Sequence, residues 1–228
     1  MKDMIKRVAK LFLGIFLYSL GIVMTINANL GLAPWDVFHQ GLSNNMGITM
    51  GQASICVGLV IVVLDSFLGE RLGWGTLVNM VFIGLIMDIL MLYNIVPVFQ
   101  PVYLRYLLML SGMFIIGIAS YFYISAALGS GPRDGLMVAM TKRTTKSVRF
   151  IRNSIELGAL AVGYLMGGSI GIGTVIMALT SGYFVQFAFR LFRYNVKETK
   201  HRFIDEDIRY LYDRFSGKKK DEKQKEEI

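Results

Sequence analysis

Six long apolar runs constrain this sequence more than any other feature. A helix needs about 20 apolar residues to cross the roughly 30 Å hydrocarbon core of a bilayer. Runs of about that length occupy residues 11–27, 50–67, 75–93, 106–127, 151–166 and 174–191. The chain is 54% apolar and only 18% charged, whereas soluble domains carry about 25% charged residues. The sequence therefore predicts an all-α, polytopic membrane protein with six transmembrane helices.

The basic residues predict which loops face the cytoplasm. Short cytoplasmic loops are enriched in Lys and Arg, whereas translocated loops are not. Residues 28–51, 94–104 and 167–173 contain neither amino acid, whereas residues 129–149 contain five basic side chains. The N-terminus and the segment after the last apolar run are also basic. We therefore expect a multi-pass protein of the cell membrane with both termini in the cytoplasm.

A seven-residue motif occurs twice in the chain. Residues 30–36 read LGLAPWD, the first motif, and residues 128–134 read LGSGPRD, the second motif, at an offset of 98 residues. The same offset aligns further positions without a gap, including the Gly-Thr pairs at 75–76 and 173–174. Such self-similarity at a fixed spacing indicates an internal repeat.

The repeat predicts how a single transmembrane domain, residues 1–195, is arranged. Each copy, at about 11–93 and 106–191, contains three of the apolar runs. Because three is an odd number, the second copy must start on the opposite side of the membrane from the first. The copies are then inverted with respect to each other, as in many secondary transporters that bind substrate near the midplane.

Each motif is predicted to end one helix and to start a short extra helix, at about 35–45 or 133–146. Gly tolerates unusual backbone angles, Pro fits the first turn of a helix, and Asp accepts bonds from free N–H groups there. Helix N-termini attract anionic or carbonyl-bearing ligands. The candidate substrate-binding or gating residues are Gly31, Pro34, Trp35, Asp36, Gly129, Pro132, Arg133 and Asp134. Alternatively, both short helices cap the bundle at its surface, Asp36 and Asp134 are structural, and Trp35 is an interfacial anchor.

Polar residues within the apolar runs are further candidates, because they are costly in lipid. Asp88 in the third run and Gln186 in the sixth are equivalent under the offset, which makes them candidates for a central site. The alternative for Asp88 is solvation at the outer interface. One face of the fifth helix carries Arg149, Arg152, Asn153 and Glu156. Asn153 and Glu156 are candidate cavity residues, and the alternative is an Arg152–Glu156 pair near the headgroups.

Several classes of function lack support in the sequence. His39 and His201 have no second His or carboxylate at metal-ligand spacing, and no nucleotide-binding or catalytic motif occurs. We therefore predict no metal, no cofactor and no enzymatic activity. The net charge is +8, but the basic residues do not form a face interleaved with stacking aromatic residues. Nucleic-acid binding is therefore not expected. Cys56 is the single cysteine, which excludes an internal disulfide, and its apolar neighbours predict that it is buried.

The segment 196–228 differs in character from the rest of the chain. Among its charged residues, apolar side chains recur at helical spacing at Ile204, Ile208, Leu211 and Phe215. This spacing predicts a short amphipathic cytoplasmic helix, followed by a terminal KKKDEKQKEEI segment that is too charged to fold. The helix is a candidate for binding a protein partner or anionic lipid.

The chain resembles the YczE/YitT family of bacterial integral membrane proteins. The resemblance lies in the segments GLAPWDVFHQGLS, GSGPRDG, GWGTLVNM and IGTVIMAL. The likeness extends over about residues 8–195. It implies a polytopic helical protein of the bacterial plasma membrane, and it implies no particular substrate or activity. Longer YitT-like members are expected to carry a cytosolic regulatory domain where this chain has a short charged tail, so no role of such a domain is transferred.

The leading hypothesis is a secondary transporter or facilitator that moves a small solute by alternating access between inverted repeats. The helix N-termini in the motifs favour an anionic solute. The runner-up is a non-transporting accessory protein that assists a cytosolic enzyme through residues 129–149 and the tail. The third is the substrate-capture subunit of an ATP-driven importer. All three share the lipid bilayer as a partner, and the sequence leaves the oligomeric state open.

Overall fold

The structure, a computed structural model, describes residues 2–194 and 201–215. These residues form nine α-helices and no β-strand, which confirms the predicted all-α class. The helices are α1 Lys2–Asn27, α2 Pro34–Met46, α3 Met50–Phe67, α4 Trp74–Leu92, α5 Val102–Ser125, α6 Pro132–Arg143, α7 Val148–Leu165, α8 Ile172–Leu191 and α9 Ile204–Phe215. The helices α1, α3, α4, α5, α7 and α8 cover the six apolar runs, and α2 and α6 follow the two motifs.

Five of these helices, α1, α3, α4, α5 and α8, are long and apolar enough to cross a membrane. The helix α7 corresponds to the fifth predicted span, but it is not among the five. It carries charged residues at positions 149, 152 and 156, which lower its hydropathy. The chain is thus a membrane protein with several apolar helices, and the sixth crossing stays a prediction.

The helices α1 and α5 pack along each other at the centre of the bundle. Small residues permit this approach: a methyl group on Gly21 or Gly112 would lie 2.8 Å from the carbonyl oxygen of the other glycine. In lipid, helices associate through such close packing. The helix α4 packs on α1 and α8 packs on α5, around a core that includes the buried Ile15, Val23 and Met109.

The outward faces of the long helices expose large apolar side chains. Leu59 and Val63 of α3, Ile89 of α4 and Leu179 of α8 are all exposed. Apolar surface of this extent is rare on soluble proteins and is suited to the hydrocarbon of a bilayer. Cys56 is also exposed on α3. Its predicted burial is therefore wrong, because this side of the apolar run faces outward.

The short helix α2 is not a surface cap. Its residues Val37 and His39 are almost fully buried, and it packs against α7 and α3. A methyl group on Gly41 would lie 2.7 Å from the carbonyl oxygen of Gly163 in α7, so the two backbones are in contact. The helix α6 packs against α3 and α7 with fewer buried residues.

The helix α6 ends three residues earlier than predicted, at Arg143 instead of residue 146. The next residue, Thr144, has an extended backbone with φ −128° and ψ 157°. Ser147 then begins α7, because its side-chain oxygen accepts a hydrogen bond from the backbone N–H of Phe150 at 3.3 Å. Ser at this capping position favours the start of a new helix.

The predicted amphipathic tail helix is present as α9. The backbone N–H of Ile204 donates to the carbonyl of Leu72, and the N–H of Arg202 donates to the carbonyl of Ala127, both at 2.9 Å. The start of α9 is therefore bound to the α3–α4 and α5–α6 connections. The charged segment 218–228 that we expect not to fold lies outside the described residues.

Candidate functional site

A central cavity of about 220 Å³ lies between the two motifs. All eight helices from α1 to α8 contribute to its walls, and Pro34, Trp35 and Pro132 line it. Its charged or titratable lining residues include Asp36, His39, Arg133, Asp134, Arg152 and Glu156. Its neutral polar lining residues include Tyr18, Thr25, Ser54, Asn79, Tyr123 and Ser181. The structure thus brings together the Pro-x-Asp ends of both motifs, which are far apart in the sequence.

Each motif is bound by a Gly-Thr pair from the other half of the chain. The N–H of Gly173 at the start of α8 donates to the carbonyl of Leu30 at 2.7 Å, and the N–H of Gly75 at the start of α4 donates to the carbonyl of Leu128 at 2.8 Å. These two bonds are equivalent under the offset of 98 residues. The sequence singled out the Gly-Thr pairs but gave no sign of this role.

The glycine at the second position of each motif has a backbone conformation that other residues rarely adopt. The φ angle is +111° at Gly31 and +129° at Gly129. A methyl group on Gly31 would lie 2.6 Å from Oγ1 of Thr174, and a methyl group on Gly129 would lie 2.6 Å from Oγ1 of Thr76. Both the turn and the close approach therefore require glycine, which explains its presence in both motifs.

Arg133 connects the second motif to the first. Its Nη2 lies 3.2 Å from Nε2 of His39, and its guanidinium lies over the ring of Trp35, 4.6 Å from the centroid. Arg has only donors, so Nε2 of His39 must accept and the imidazole proton must be on Nδ1. Nδ1 lies 3.4 Å from Oδ1 of Asp36, which is longer than an ordinary hydrogen bond. Burial lowers the pKa of His39, against the opposing effect of Asp36, and this agrees with a neutral imidazole.

Asp134 lies in a group of side-chain oxygens. The hydroxyl of Tyr123 donates to Oδ2 of Asp134 at 2.6 Å. A methyl group on Gly131 would lie 3.6 Å from each of these two oxygens and 3.9 Å from Oδ1 of Asn79. Asn79 is only 8% exposed, and no described residue forms a hydrogen bond with its side-chain amide. Buried polar groups normally have a partner, so this amide faces a space that suits a polar ligand or water.

The polar face of α7 contributes two of its predicted residues to the cavity. Arg152 and Glu156 both line the cavity, and Nε of Arg152 lies 3.0 Å from Oε1 of Glu156. The predicted ion pair and the predicted cavity wall are therefore present together. Asn153 is exposed and does not line the cavity. The side chain of Arg149 lies outside the described part of the structure.

Asp88 and Gln186 do not line the cavity. Asp88 accepts hydrogen bonds from the hydroxyl of Thr49 and from the backbone N–H of Gly51 at 2.8 Å. Asp88 therefore binds the N-terminus of α3, where the backbone N–H of Gly51 has no partner within the helix. Gln186 is exposed on α8. The offset predicts that these residues are equivalent, but their environments differ.

Asp65 of α3 is buried without a partner. It is only 1% exposed, and neither carboxylate oxygen forms a hydrogen bond with a described residue. Gly135 of α6 makes room for it, since a methyl group there would lie 2.5 Å from Oδ2 of Asp65. Ile61, one turn earlier on α3, lines the cavity. The position of Asp65 at the end of an apolar run gives no sign of this burial.

Sequence reasoning also missed Tyr18, Thr25 and Tyr123 as cavity residues. Each lies within an apolar run, where Tyr and Thr are common, so neither composition nor spacing distinguishes them from residues that face lipid. Within the described ranges, no group of three or more His, Cys, Asp or Glu side chains could hold a metal ion. The lining of the cavity combines polar and apolar side chains.

The chain is similar to known membrane proteins over most of its length. Residues 5–190 match the family described as "Family of unknown function (DUF6198)". The chain is 35% identical over 192 residues to the "Uncharacterized membrane protein YczE" of Bacillus subtilis, covering 82% of this chain and 87% of that protein. It is 31% identical over 182 residues to an "Uncharacterized protein" of Haemophilus influenzae, covering 80% and 83%. No solved structure matches the chain. The predicted resemblance is thus confirmed, and the chain belongs to the YczE-like family of membrane proteins.

Proposed function

We propose that the protein is a secondary transporter or facilitator that passes a small solute through the central cavity by alternating access. The observation that carries this proposal is the position of the cavity between the two motifs. In transporters built from inverted repeats, substrates bind at the repeat interface, where helix N-termini point at them. Here Pro34 and Pro132, at the N-termini of α2 and α6, both line the cavity.

Contacts between helix ends support the proposed topology with six crossings. Nδ2 of Asn45 donates to the carbonyl of Met166 at 2.7 Å, and in the proposed topology both residues lie at the outer face. Nζ of Lys142 lies 2.8 Å from Oε1 of Glu70, and in that topology both lie at the inner face. In this topology four crossings lie between Asn45 and Met166 and two lie between Glu70 and Lys142. An odd number of crossings would place the two residues of a pair on opposite sides of the membrane.

The sixth crossing in this proposal is α7. Its 18 residues span about 27 Å at 1.5 Å per residue. Ionisable residues in spans are tolerated when they face a cavity or a partner. Arg152 and Glu156 meet both conditions, because they pair with each other and line the cavity. The low hydropathy of α7 is therefore consistent with a membrane crossing.

In the proposed cycle, the two halves rock against each other along the contact between α1 and α5. Leu30 is bound to α8 and Leu128 is bound to α4, so each motif moves with a helix of the opposite half. Rocking in one direction opens the cavity at the first motif, and rocking in the other direction opens it at the second. The solute gains access to each side in turn.

Accessibility of a single cysteine in the cavity tests this proposal without knowledge of the solute. Ser181 lines the cavity on α8, so Ser181→Cys is made in a Cys56→Ser background. A small, charged methanethiosulfonate reagent that cannot cross membranes is applied to right-side-out and to inside-out vesicles. Alternating access predicts modification from both sides.

Two control positions report which side is exposed. Asn45→Cys is expected to react only from outside, and Thr145→Cys only from inside. If Ser181→Cys reacts from one side only while both controls behave as expected, alternating access is wrong. If either control reacts from the unexpected side, the proposed topology is wrong.

A second candidate function, that of an accessory protein for a cytosolic partner, is favoured by one observation. Ile208 and Tyr212 of α9 are 60% and 65% exposed, so the helix presents apolar side chains although it is bound at its start. An accessory role predicts that a chain truncated after residue 195 loses association with cytosolic protein. The same role predicts that Arg133→Gln has no effect on this association.

A further inference from the structure

We propose that the solute is a small amino-carboxylate, a zwitterion whose carboxylate binds Arg133 and whose ammonium binds the oxygens around Gly131. This inference rests on the proposed function, because it names the solute class of the same cavity. A zwitterionic solute differs from the simple anion that the helix N-termini favour. The difference arises from charges and contacts that only the folded chain brings together.

Arg133 is the candidate carboxylate-binding residue. Its guanidinium has five N–H donors. Within the described part of the chain its one hydrogen bond joins Nη2 to His39, and its one ring contact is with Trp35. No described carboxylate forms an ion pair with it. The imidazole and the indole hold the guanidinium in the cavity and leave several donors free. A fixed guanidinium with free donors binds a carboxylate through two parallel hydrogen bonds.

The candidate ammonium site consists of three oxygens around Gly131. Oδ2 of Asp134, Oη of Tyr123 and Oδ1 of Asn79 each lie 3.6–3.9 Å from the position that a methyl group on Gly131 would occupy. A carboxylate, a phenol and an amide oxygen provide acceptors for the three N–H donors of an ammonium group. The buried amide of Asn79 lacks a partner among the described residues, and such a ligand would supply it.

The fixed charges of the cavity favour a zwitterion over a simple anion. Arg152 is neutralised by its ion pair with Glu156. The remaining ionisable groups of fixed sign in the cavity lining are one cation, Arg133, and two carboxylates, Asp36 and Asp134. An anion on Arg133 would leave both carboxylates uncompensated and would be repelled by them. A solute with its own ammonium group is attracted at both ends.

The size and the walls of the cavity limit the rest of the solute. An apolar cavity of about 150 Å³ holds the six carbons of benzene, so the 220 Å³ here accommodates roughly nine non-hydrogen atoms by that ratio. The walls away from the charged groups are formed by apolar side chains that include Met80, Met113, Met137, Met177, Ile83 and Val185. Met side chains adapt to irregular apolar groups. The solute therefore has the size of a small amino acid with an apolar side chain.

Three matched ligands test this inference by titration calorimetry on the purified full-length protein. Valine has both charged groups, isovalerate is the same skeleton without the ammonium, and isobutylamine is the same skeleton without the carboxylate. We expect valine to bind at least tenfold more tightly than either analogue, because each analogue leaves buried polar groups unpaired. Isovalerate that binds as tightly as valine would overturn the inference and would indicate an anion site.

Substitutions assign the two charged groups to their partners. Arg133→Gln is expected to weaken the binding of valine at least tenfold. Arg133→Lys keeps the positive charge but lacks the paired N–H donors of the guanidinium, and it is expected to weaken the binding of valine less. Asp134→Asn is expected to weaken the binding of valine and to strengthen the binding of isovalerate, because it removes a carboxylate that attracts the ammonium group and repels an anion. Arg143→Gln is the matched control, because Arg143 is exposed in the last turn of the same helix, and we expect no change. An Arg143→Gln effect equal to that of Arg133→Gln would overturn the assignment.

The titration separates failure of this inference from failure of the proposed function. If none of the three ligands binds to monodisperse protein while Ser181→Cys reacts from both sides, the solute class is wrong and alternating access stands. If valine binds in the expected way while Ser181→Cys reacts from one side only, the site is confirmed and transport is wrong.

Discussion

The guanidinium of Arg133 lies 4.6 Å from the ring centroid of Trp35, and the two residues occupy the same position in the two motifs. Under the proposed two-fold relation between the halves, equivalent residues can touch only where they lie near the axis. This contact therefore marks where the two copies of the motif face each other. Two Arg side chains would repel each other there, whereas Arg over Trp is attractive. The difference between the copies is thus part of the site.

His39 is expected to stabilise the fold by accepting the hydrogen bond of Arg133. His39→Leu leaves that Nη2 donor unpaired in the cavity, and the loss of a hydrogen bond to a charged group costs about 1.5–3 kcal/mol. His39→Gln retains an acceptor at the end of the side chain and should lose less. The unfolding temperature of each variant in detergent, followed by Trp fluorescence, measures the two losses of stability. Equal losses for Leu and Gln would contradict the role of the acceptor.

The motif glycines are expected to tolerate no side chain. Gly31→Ala and Gly129→Ala place a methyl group 2.6 Å from a threonine oxygen in a backbone conformation that L-residues disfavour. Overpacking costs about 1–3 kcal/mol, and the left-handed backbone adds about 1–2 kcal/mol. Gly47→Ala is the matched control, because its φ is +66° but no atom lies within 4 Å of the added methyl. Gly47→Ala should therefore lower the free energy of unfolding by the backbone cost alone. A decrease as large as those of Gly31→Ala and Gly129→Ala would refute the packing argument.

Asp65 and Asp88 are expected to respond to the same substitution in opposite directions. Asp65 has no partner among the described residues, so Asp65→Asn removes a charge whose burial is costly. Asp88 accepts two hydrogen bonds, and Asn keeps only one acceptor oxygen. At pH 8 we expect Asp65→Asn to raise the unfolding temperature by about 2–4 °C, equivalent to about 1 kcal/mol. Asp88→Asn should lower it. A lower unfolding temperature for Asp65→Asn would mean that the carboxylate has a partner in the folded protein.

The attachment of α9 to Arg71 is expected to depend on salt. Arg71 pairs with Asp205 and Glu206 at 2.7 and 2.9 Å, and all three side chains are exposed. Screening shortens the range of such pairs from about 10 Å at 0.1 M salt to about 3 Å at 1 M. Hydrogen exchange of residues 204–215 should therefore become faster at 1 M salt and in Arg71→Gln. Lys142→Gln is the control, because Lys142 pairs with Glu70 and pairs with none of the described side chains of α9.

Mild acid should not release α9. The hydrogen bond from Arg71 lowers the pKa of Asp205, so the ionised form persists in the folded protein. A carboxylate with a lowered pKa stabilises the fold above its ordinary pKa of about 3.9, and this stabilisation is lost only as the pH falls below that value. Exchange of residues 204–215 should therefore be unchanged between pH 7 and pH 5. Faster exchange at pH 5 would show that another group controls the attachment.

Local features of the sequence predicted the helices and the corners well. The run at 50–67 coincides with α3, and the short helix predicted at 35–45 lies within α2. The predicted end of α6 was less accurate. The extended Thr144 and the Ser147 cap separate α6 from α7, and in the sequence these residues only weakly indicate a helix boundary. The offset of 98 residues correctly aligned the Gly-Thr pairs, whose equivalent hydrogen bonds the structure contains. It did not predict that these pairs bind the opposite motif.

The structure shows which of the predicted site residues line the cavity, and their role in binding or gating stays a prediction. All the motif residues from Pro34 to Asp36 and from Pro132 to Asp134 line the cavity, as does Glu156. The predicted residues that do not line it are Gly31, Gly129, Asn153, Asp88 and Gln186. Helical spacing places Asn153 and Glu156 on one broad face, but the cavity wall includes only part of that face. The offset made Asp88 and Gln186 equivalent in sequence, yet it carries no information about which neighbours each of them meets.

The sequence by itself determined the helical class, the membrane environment, the positions of the corners and the family, because apolar length, charge distribution and Gly-Pro-Asp spacing are properties of local segments. Only the tertiary structure decided that Arg133 meets Trp35 and His39, that Tyr123, Asn79 and Asp134 surround one space, and that Asp65 is buried. The physical reason is that these contacts join residues from different helices. Their distances depend on how the helices pack, and helix packing is set by the summed contacts of many side chains instead of by any one segment.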